Sequence, residues 1–405
     1  MSVFSPLALT QTLPFLPLAQ GDIDYEVARR GEPDLFAKVL AEPATKVILV
    51  KDGKVAVPHG QGAIADYANV KMRLAQLPGA YVAAELESHP SALAIFLGSY
   101  GGRLGEHVIA VDVTHVQPND TTITAATARS GGADDAFAEV PAHESQENAK
   151  SLLESAATRF DWVDLRGFAP HASAREAGQA TSAISLSVWH ARQRHCPTCG
   201  APVEPALGGW AQHCTNDEDG NRLLFPRIEP AVITAIVDHD DRLLLQHNSA
   251  WRNNGLYSVS AGFVEAGENL EHACRREAKE EVGIEIGELK YLGSQPWPFP
   301  SSLMMAFKGV AVTTDVHVDG EETLQARWVT RDEYMSELVS GRMEAPGKAT
   351  IARYMIEEWL GRELWRKRPA GHVGMARPRP AVTRPAIKRW YRLSLSSGRL
   401  PGELV

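Results

Sequence analysis

Six glutamates crowd into residues 262–284, which read GFVEAGENLEHACRREAKEEVGI. Glu277, Glu280 and Glu281 stand at i, i+3 and i+4, so an α-helix puts their carboxylates on one face. Carboxylates this close repel one another unless a cation lies between them. Hard divalent cations such as Mg²⁺ take oxygen ligands of this kind, commonly shared with phosphate groups. A cation there would offset charge on a diphosphate and acidify a bound water. Glu280 or Glu281 would serve as the base, and spacing alone does not choose between them. A plain solvated helix with pairs such as Arg276 to Glu280 explains the charges but not Gly262 or Gly283.

Two further clusters carry chemistry. Cys196-Pro-Thr-Cys199-Gly200 opens a metal knuckle, and Cys214 supplies a third thiolate. A structural zinc site needs a fourth ligand, usually a Cys three positions on. Asp217 occupies that position, with Asp219, His195 and His213 as alternatives. Cys274, in the glutamate segment, reads as a small core residue. The second cluster is Ser294-Gln-Pro-Trp-Pro-Phe-Pro-Ser301-Ser302. Its three prolines exclude a helix or a central strand. They predict a stiff extended wall bearing Trp297 and Phe299, suited to stacking a planar ring or, equally, to filling a core.

The elements that position these groups can be read from pattern. Leu256–Ser260 alternates like a half-buried strand before the glutamate loop, with Leu270, Cys274 and Val282 facing inward, the glutamates facing out and Gly283 stopping the helix. Residues 231–237 and 242–246 flank a hairpin turn, 302–313 and 325–329 supply further strands, and 346–360 a closing helix. Upstream, residues 47–50, 92–98 and 107–113 predict strands, and residues 143–160 and 172–194 predict helices. The expected class is α+β. A mixed α/β domain over residues 1–190 precedes a zinc-ribbon-like segment over 191–227 and a compact domain over 228–361. The region 362–405 is expected to be a disordered basic tail.

Composition bounds the rest. Hydrophobic content of 44% and charged content of 22% are ordinary for a globular chain of 405 residues. No apolar run is long enough to span a membrane, no basic leader precedes the apolar N-terminus, and four cysteines are too few for a disulfide framework. A cytoplasmic location is the expectation. The net charge of −9 hides eleven Lys/Arg against two Asp/Glu in residues 361–405. That tail reads as a solvated extension or a contact for RNA.

The segment from Gly262 to Ile284 resembles the Nudix box, with Gly262, Glu268, Arg276, Glu277, Ala278, Glu280, Glu281, Gly283 and Ile284 at its fixed positions. SQPWPFP followed by Ser302, together with the cysteine ribbon and Phe225-Pro-Arg227 ahead of Pro230, resembles the NADH pyrophosphatase subfamily. The resemblance implies a Nudix α/β/α sandwich, a homodimer, Mg²⁺ or Mn²⁺ at the catalytic centre and structural Zn²⁺. It implies cleavage of NADH or NAD⁺ to NMN(H) and AMP, and for some members removal of NAD caps from RNA.

The same resemblance implies catalytic or metal-binding roles for Glu277, Glu280, Glu281, Glu322, Arg276 and the carbonyl of Ala261. Substrate contacts would come from Phe263, from Gln295, Pro296, Trp297, Pro298, Phe299, Pro300, Ser301 and Ser302, and from Ala352 and Phe225. Arg166 aligns with a phosphate-contacting arginine. Zinc would take Cys196, Cys199, Cys214 and Asp217. Gln325 and Phe225 depart from the residues common at their positions. A reading of another class, a nucleotide sensor or RNA-binding module without catalysis, is disfavoured by the intact glutamate set.

Overall fold

The computed structural model describes residues 5–8, 10–14, 16–61, 71–102, 105–116 and 151–364. The tail beyond Leu364 and the start of the helix expected over 143–160 lie outside the described residues.

The N-terminal half is built on one seven-stranded sheet: β1 (Ile23–Asp24), β2 (Lys46–Lys51), β3 (Lys54–Pro58), β4 (Gln76–Pro78), β5 (Leu93–Tyr100), β6 (Glu106–Asp112) and β7 (Phe160–Asp164). Strand order is β1-β5-β6-β2-β3-β7, with β4 on β2. The central strands are buried on both faces, and their residues alternate between two cores. Ile48, Val50, Ile95, Leu97, Val108 and Ala110 join one core; Val47, Leu49, Phe96, Ile109 and Val111 join the other. Helices α1 (Leu35–Leu40), α2 (Gly79–Ser88) and α3 (Leu152–Arg159) cover the second face. The first face takes α4 (Leu165–Phe168) and the long α5 (Ala174–Arg192), whose Ala177, Ala180 and Ala183 let it lie close. This half is an α/β/α sandwich in its own right.

A three-stranded ribbon follows, β8 (Val203–Ala206), β9 (Ala211–Cys214) and β10 (Leu223–Leu224). The third sheet comprises β11 (Glu229–Val237), β12 (Leu243–Asn248), β13 (Ser260–Phe263), β14 (Ile286–Trp297), β15 (Ser302–Ala311) and β16 (Thr323–Val329). Its order is β14-β15-β11-β12-β16, with β13 paired to β11. Helix α6 (Leu270–Val282) packs Ala273, Cys274, Ala278 and Val282 onto Val232 and Ile236 of β11. After α7 (Arg331–Val339), helix α8 (Ile351–Leu360) packs on β11 and β15.

Three local expectations change. Only Ser260–Phe263 of the strand ahead of the loop is ladder; Leu256 and Ser258 make isolated bridges. The closing helix begins at Ile351, after Pro346 and Gly347. Strand β14 runs through Pro296 to Trp297 because it is the edge of the sheet, where a missing N–H costs no ladder bond. That edge is covered by the chain's own start. Leu13 N donates to Leu292 O at 3.0 Å, and Lys290 Nζ donates to the carbonyls of Leu7 and Thr10 at 3.1 and 2.7 Å.

Candidate active site and metal centres

Helix α6 begins at Asn269, whose side chain caps His272 N at 2.8 Å, and ends at Gly283 with φ 72°. Its three glutamates do not share an exposed face, contrary to the simple helical reading. Glu280 is exposed, Glu277 is half-buried and Glu281 is 4% exposed. Glu281 takes two hydrogen bonds on Oε2, from Gln246 Nε2 at 2.8 Å and Ser260 Oγ at 3.0 Å. Burial, with Glu277 and Glu322 nearby, pushes its carboxyl up to about 7 despite those two bonds. Glu277 is raised for the same first reason, and Glu280 and Glu322 add to it while Arg276 opposes. Glu322, an exposed residue just before β16, therefore belongs to the same cluster.

Gly262 makes this arrangement possible. A Cβ there would lie 1.9 Å from Glu277 Cδ, so the carboxylate occupies the space a side chain would fill. Ala261 lies exposed on β13 between Gly262 and Ser260. Mutually repelling, partly desolvated carboxylates cradled on a glycine fit a hard divalent cation.

Arg276 is placed differently from the catalytic role expected of it. Nε and Nη2 form a fork on Glu268 at 2.9 and 2.8 Å. Nη1 donates to Glu277 and Glu280, each at 2.9 Å, and Nη2 also to Phe263 O at 2.8 Å. These contacts use all five N–H groups of a guanidinium, leaving none for a substrate. The residue ties loop, strand and helix together and is a positioning residue. Its fork holds the Glu268 carboxyl well below the usual range.

The register sets the scale of the site. Phe263 pairs with Ala231, which pairs with Met304, which pairs with Gln295. Four adjacent strands separate the first and last by about 14 Å. Phe263 is 54% exposed and free to stack. Gln295, expected to touch substrate, is instead fully buried. Its Nε2 donates to Pro17 O and Ala349 O, and its Oε1 accepts from Ile351 N, all at 2.8 Å. It fixes α8, and with it the buried Ala352, against β14 and the N-terminal segment.

The remaining wall residues divide by environment. Trp297 and Phe299 meet edge to face, centroids 4.8 Å apart, and pack on the first N-terminal core. Arg166 lies over both rings, 4.1 Å from Phe299 and 5.3 Å from Trp297. Pro298 and Ser302 are buried, Pro296 and Ser301 half-buried, and Pro300 and Phe225 exposed. Phe225, Pro296, Trp297, Pro298, Pro300, Ser301 and Ser302 all border one cavity of about 890 Å³.

In the ribbon, Cys196, Cys199, Cys214 and Asp219 bring four candidate ligand atoms within 4.8 Å of one another. The fourth member is Asp219, not Asp217. The turn Asp217–Asp219 ends at Gly220 in the left-handed region, which carries Asp219 back to 3.3 Å from Cys196 Sγ. Ligands about 2.3 Å from one tetrahedral ion lie about 3.8 Å apart, so the donor set fits zinc. Arg222 Nε holds the Asp219 carboxylate at 3.1 and 3.2 Å.

Sequence reasoning missed Gln246, Ser260 and the N-terminal segment, because polar partners from distant strands leave no local pattern. Asp219 stood among the alternatives for the fourth ligand, and Gly220 marks the turn that selects it.

Residues 227–354 match the NUDIX domain, and residues 191–218 match the NADH pyrophosphatase zinc ribbon domain. Among curated proteins, "NAD-capped RNA hydrolase NUDT12" from Macaca fascicularis is 36% identical over 194 residues, 46% of this chain and 42% of that protein. "NAD-capped RNA hydrolase NudC" from Mycobacterium bovis is 39% identical over 210 residues, 50% of this chain and 66% of that protein. The chain thus spans less than half the length of the first relative and just under two thirds of the second.

Proposed function

We propose that this chain, in which residues 227–354 match the NUDIX domain and residues 191–218 the NADH pyrophosphatase zinc ribbon domain, hydrolyses the pyrophosphate bond of NADH or NAD⁺. The products are NMN(H) and AMP. The observation that carries the reading is the cluster of Glu277, Glu281 and Glu322 around the Gly262 cradle, beside the exposed ring of Phe263. Glu277, Glu280, Glu281, Glu322 and the Ala261 carbonyl would hold Mg²⁺ or Mn²⁺. When bound, the ion supplies charge neutralisation at the diphosphate and an acidified water.

The chain's own residues do the rest. Glu281, the most deeply buried carboxylate of the cluster, accepts the proton of the attacking water. Gln246 and Ser260 hold its Oε2 in place. Phe263 stacks a planar ring of the substrate. The Trp297–Phe299 wall, backed by Arg166, bounds the dinucleotide at the far side of the sheet. Zn²⁺ in the ribbon, on Cys196, Cys199, Cys214 and Asp219, is structural.

Incubating the full chain with NADH and either Mg²⁺ or Mn²⁺ tests the reading by chromatography. AMP and NMNH should appear together, and no AMP under either metal would overturn it. Removal of NAD caps from RNA is the second reading, favoured by the activity for which both relatives are named. Deleting residues 362–405 should weaken RNA affinity if the basic tail takes part. A homodimer fits the exposure of Phe225 and Ile228, 62% and 67%, and sedimentation reads it directly. Among the described residues no helix is long and apolar enough to cross a membrane. A cytoplasmic location remains part of this proposal.

A further inference from the structure

Three of the four clustered carboxylates ride on α6, where helix geometry fixes their spacing. Each of those three is also held by its side chain: Glu277 and Glu280 by Arg276, Glu281 by Gln246 and Ser260. Glu322 has neither support. It stands at the end of residues 312–322, which form no helix or strand. Its carboxylate makes no hydrogen bond or ion pair among the described residues. A metal ligand carried on a loop needs its backbone fixed by something else.

Asp319 supplies that fixing. Its Oδ2 accepts from Glu322 N at 3.1 Å, and its Oδ1 accepts from Thr323 N at 2.9 Å. Aspartate favours such bonds to nearby backbone, and Gly320, at φ 75°, lets the chain fold back over the carboxylate. The carbonyl of Glu322 is held from the other side by Ser249 N at 2.8 Å. The loop is moored to the helix as well. Asp319 N donates to Glu281 O at 3.1 Å, and His317 N donates to Val282 O at 3.0 Å. One residue therefore bridges two members of the cluster: its N–H sits on the carbonyl of Glu281, and its carboxylate sits on the N–H of Glu322.

We propose that Asp319 is a positioning residue that sets Glu322 against the α6 carboxylates for a divalent cation. This rests on the reading of Glu322 as a metal ligand. Asp319 touches neither metal nor substrate; it acts through the backbone of Glu322. Partners that orient a metal ligand from outside are worth about 10- to 100-fold in metal affinity.

The test titrates the full, zinc-loaded chain with Mn²⁺ alone and reads the free ion by electron paramagnetic resonance. Asp319→Ala removes both acceptors but keeps the N–H on Glu281 O, so the mooring to α6 stays. Asp319 is exposed, and the melting temperature of this variant should move little. Mn²⁺ affinity should fall about tenfold in Asp319→Ala and in Glu322→Gln. Asp319→Asn, which keeps one carbonyl acceptor, should recover part of the loss. The double variant should bind Mn²⁺ no more weakly than Glu322→Gln alone, because Asp319 acts only through Glu322. With NADH, Asp319→Ala should lower kcat and raise the Mn²⁺ concentration that gives half the maximal rate, with KM for NADH little changed.

Wild-type Mn²⁺ affinity in Asp319→Ala, beside a weakened Glu322→Gln, overturns the inference. So does a double variant that binds more weakly than Glu322→Gln, which would mark a general loosening of the site. Wild-type affinity in Glu322→Gln removes Glu322 from the metal set and takes the inference with it. A wild-type chain that binds Mn²⁺ but never cleaves NADH fails the proposed function and leaves the titration readable.

Discussion

Glu281 couples catalysis to stability through one buried carboxyl. Its folded value near 7 lies above the ordinary 4.5, so between those pH values the folded chain holds a proton that the unfolded chain has released. Stability of the metal-free protein therefore falls as pH rises from about 4.5 to about 7, by about 3 kcal/mol in all. Below that window both states are protonated and the cost vanishes. Glu281→Gln should flatten this slope in denaturant titrations at pH 5 and 8, while its turnover drops by about 10²–10⁴. A wild-type slope that survives the substitution would place the titrating group elsewhere.

Gly262→Ala is the companion at the same scale. The added methyl displaces a flexible carboxylate rather than backbone. Melting should move little while NADH turnover falls at least tenfold. Sequence spacing exposed the glutamates but not their unequal burial. Burial is set by Gln246 and Ser260, which belong to strands that only the folded sheet brings beside α6.

At the scale of elements, the site hangs on two polar clamps. Arg276 joins the loop, β13 and α6 through five donors, and lysine has only three. Arg276→Lys should leave at least two carboxylate or carbonyl contacts unmade, lowering the melting temperature and raising KM. Gln295 joins β14, α8 and the N-terminal segment in the same way. Gln295→Ala strands the Ile351 N–H and the Pro17 and Ala349 carbonyls in the interior. A loss of about 2–4 kcal/mol in chemical denaturation is expected. Helix ends and most strands were readable from Asn269, Gly283 and apolar alternation. The Gln295 clamp was not, because a glutamine between a serine and a proline looks the same whether it faces substrate or core.

For the whole molecule, three sheets depend on one another across long sequence separations. Strand β14 rests on the chain's start, and the wall rests on the N-terminal core. The ribbon holds Trp210, whose Nε1 donates to Phe96 O at 2.6 Å. Zinc should therefore stabilise more than the ribbon. One zinc per chain is expected by elemental analysis, retained in Asp217→Ala and depleted in Asp219→Ala. Asp219→Cys should hold it more tightly against a chelator, since sulfur is the usual fourth ligand. Equal zinc content in the two alanine variants would remove Asp219 from the set.

The segment lying along β14 has a bearing on solubility as well. An uncovered edge strand offers a row of backbone donors and acceptors to any passing chain. Leu13 N answers one acceptor of that row, Leu292 O, and the Leu7 and Thr10 carbonyls take the side chain of Lys290 beside it. A chain shortened from this end would present a ready template for intermolecular strand pairing. Light scattering of such a truncation, beside the full chain at equal concentration, should show aggregation before it shows loss of helix.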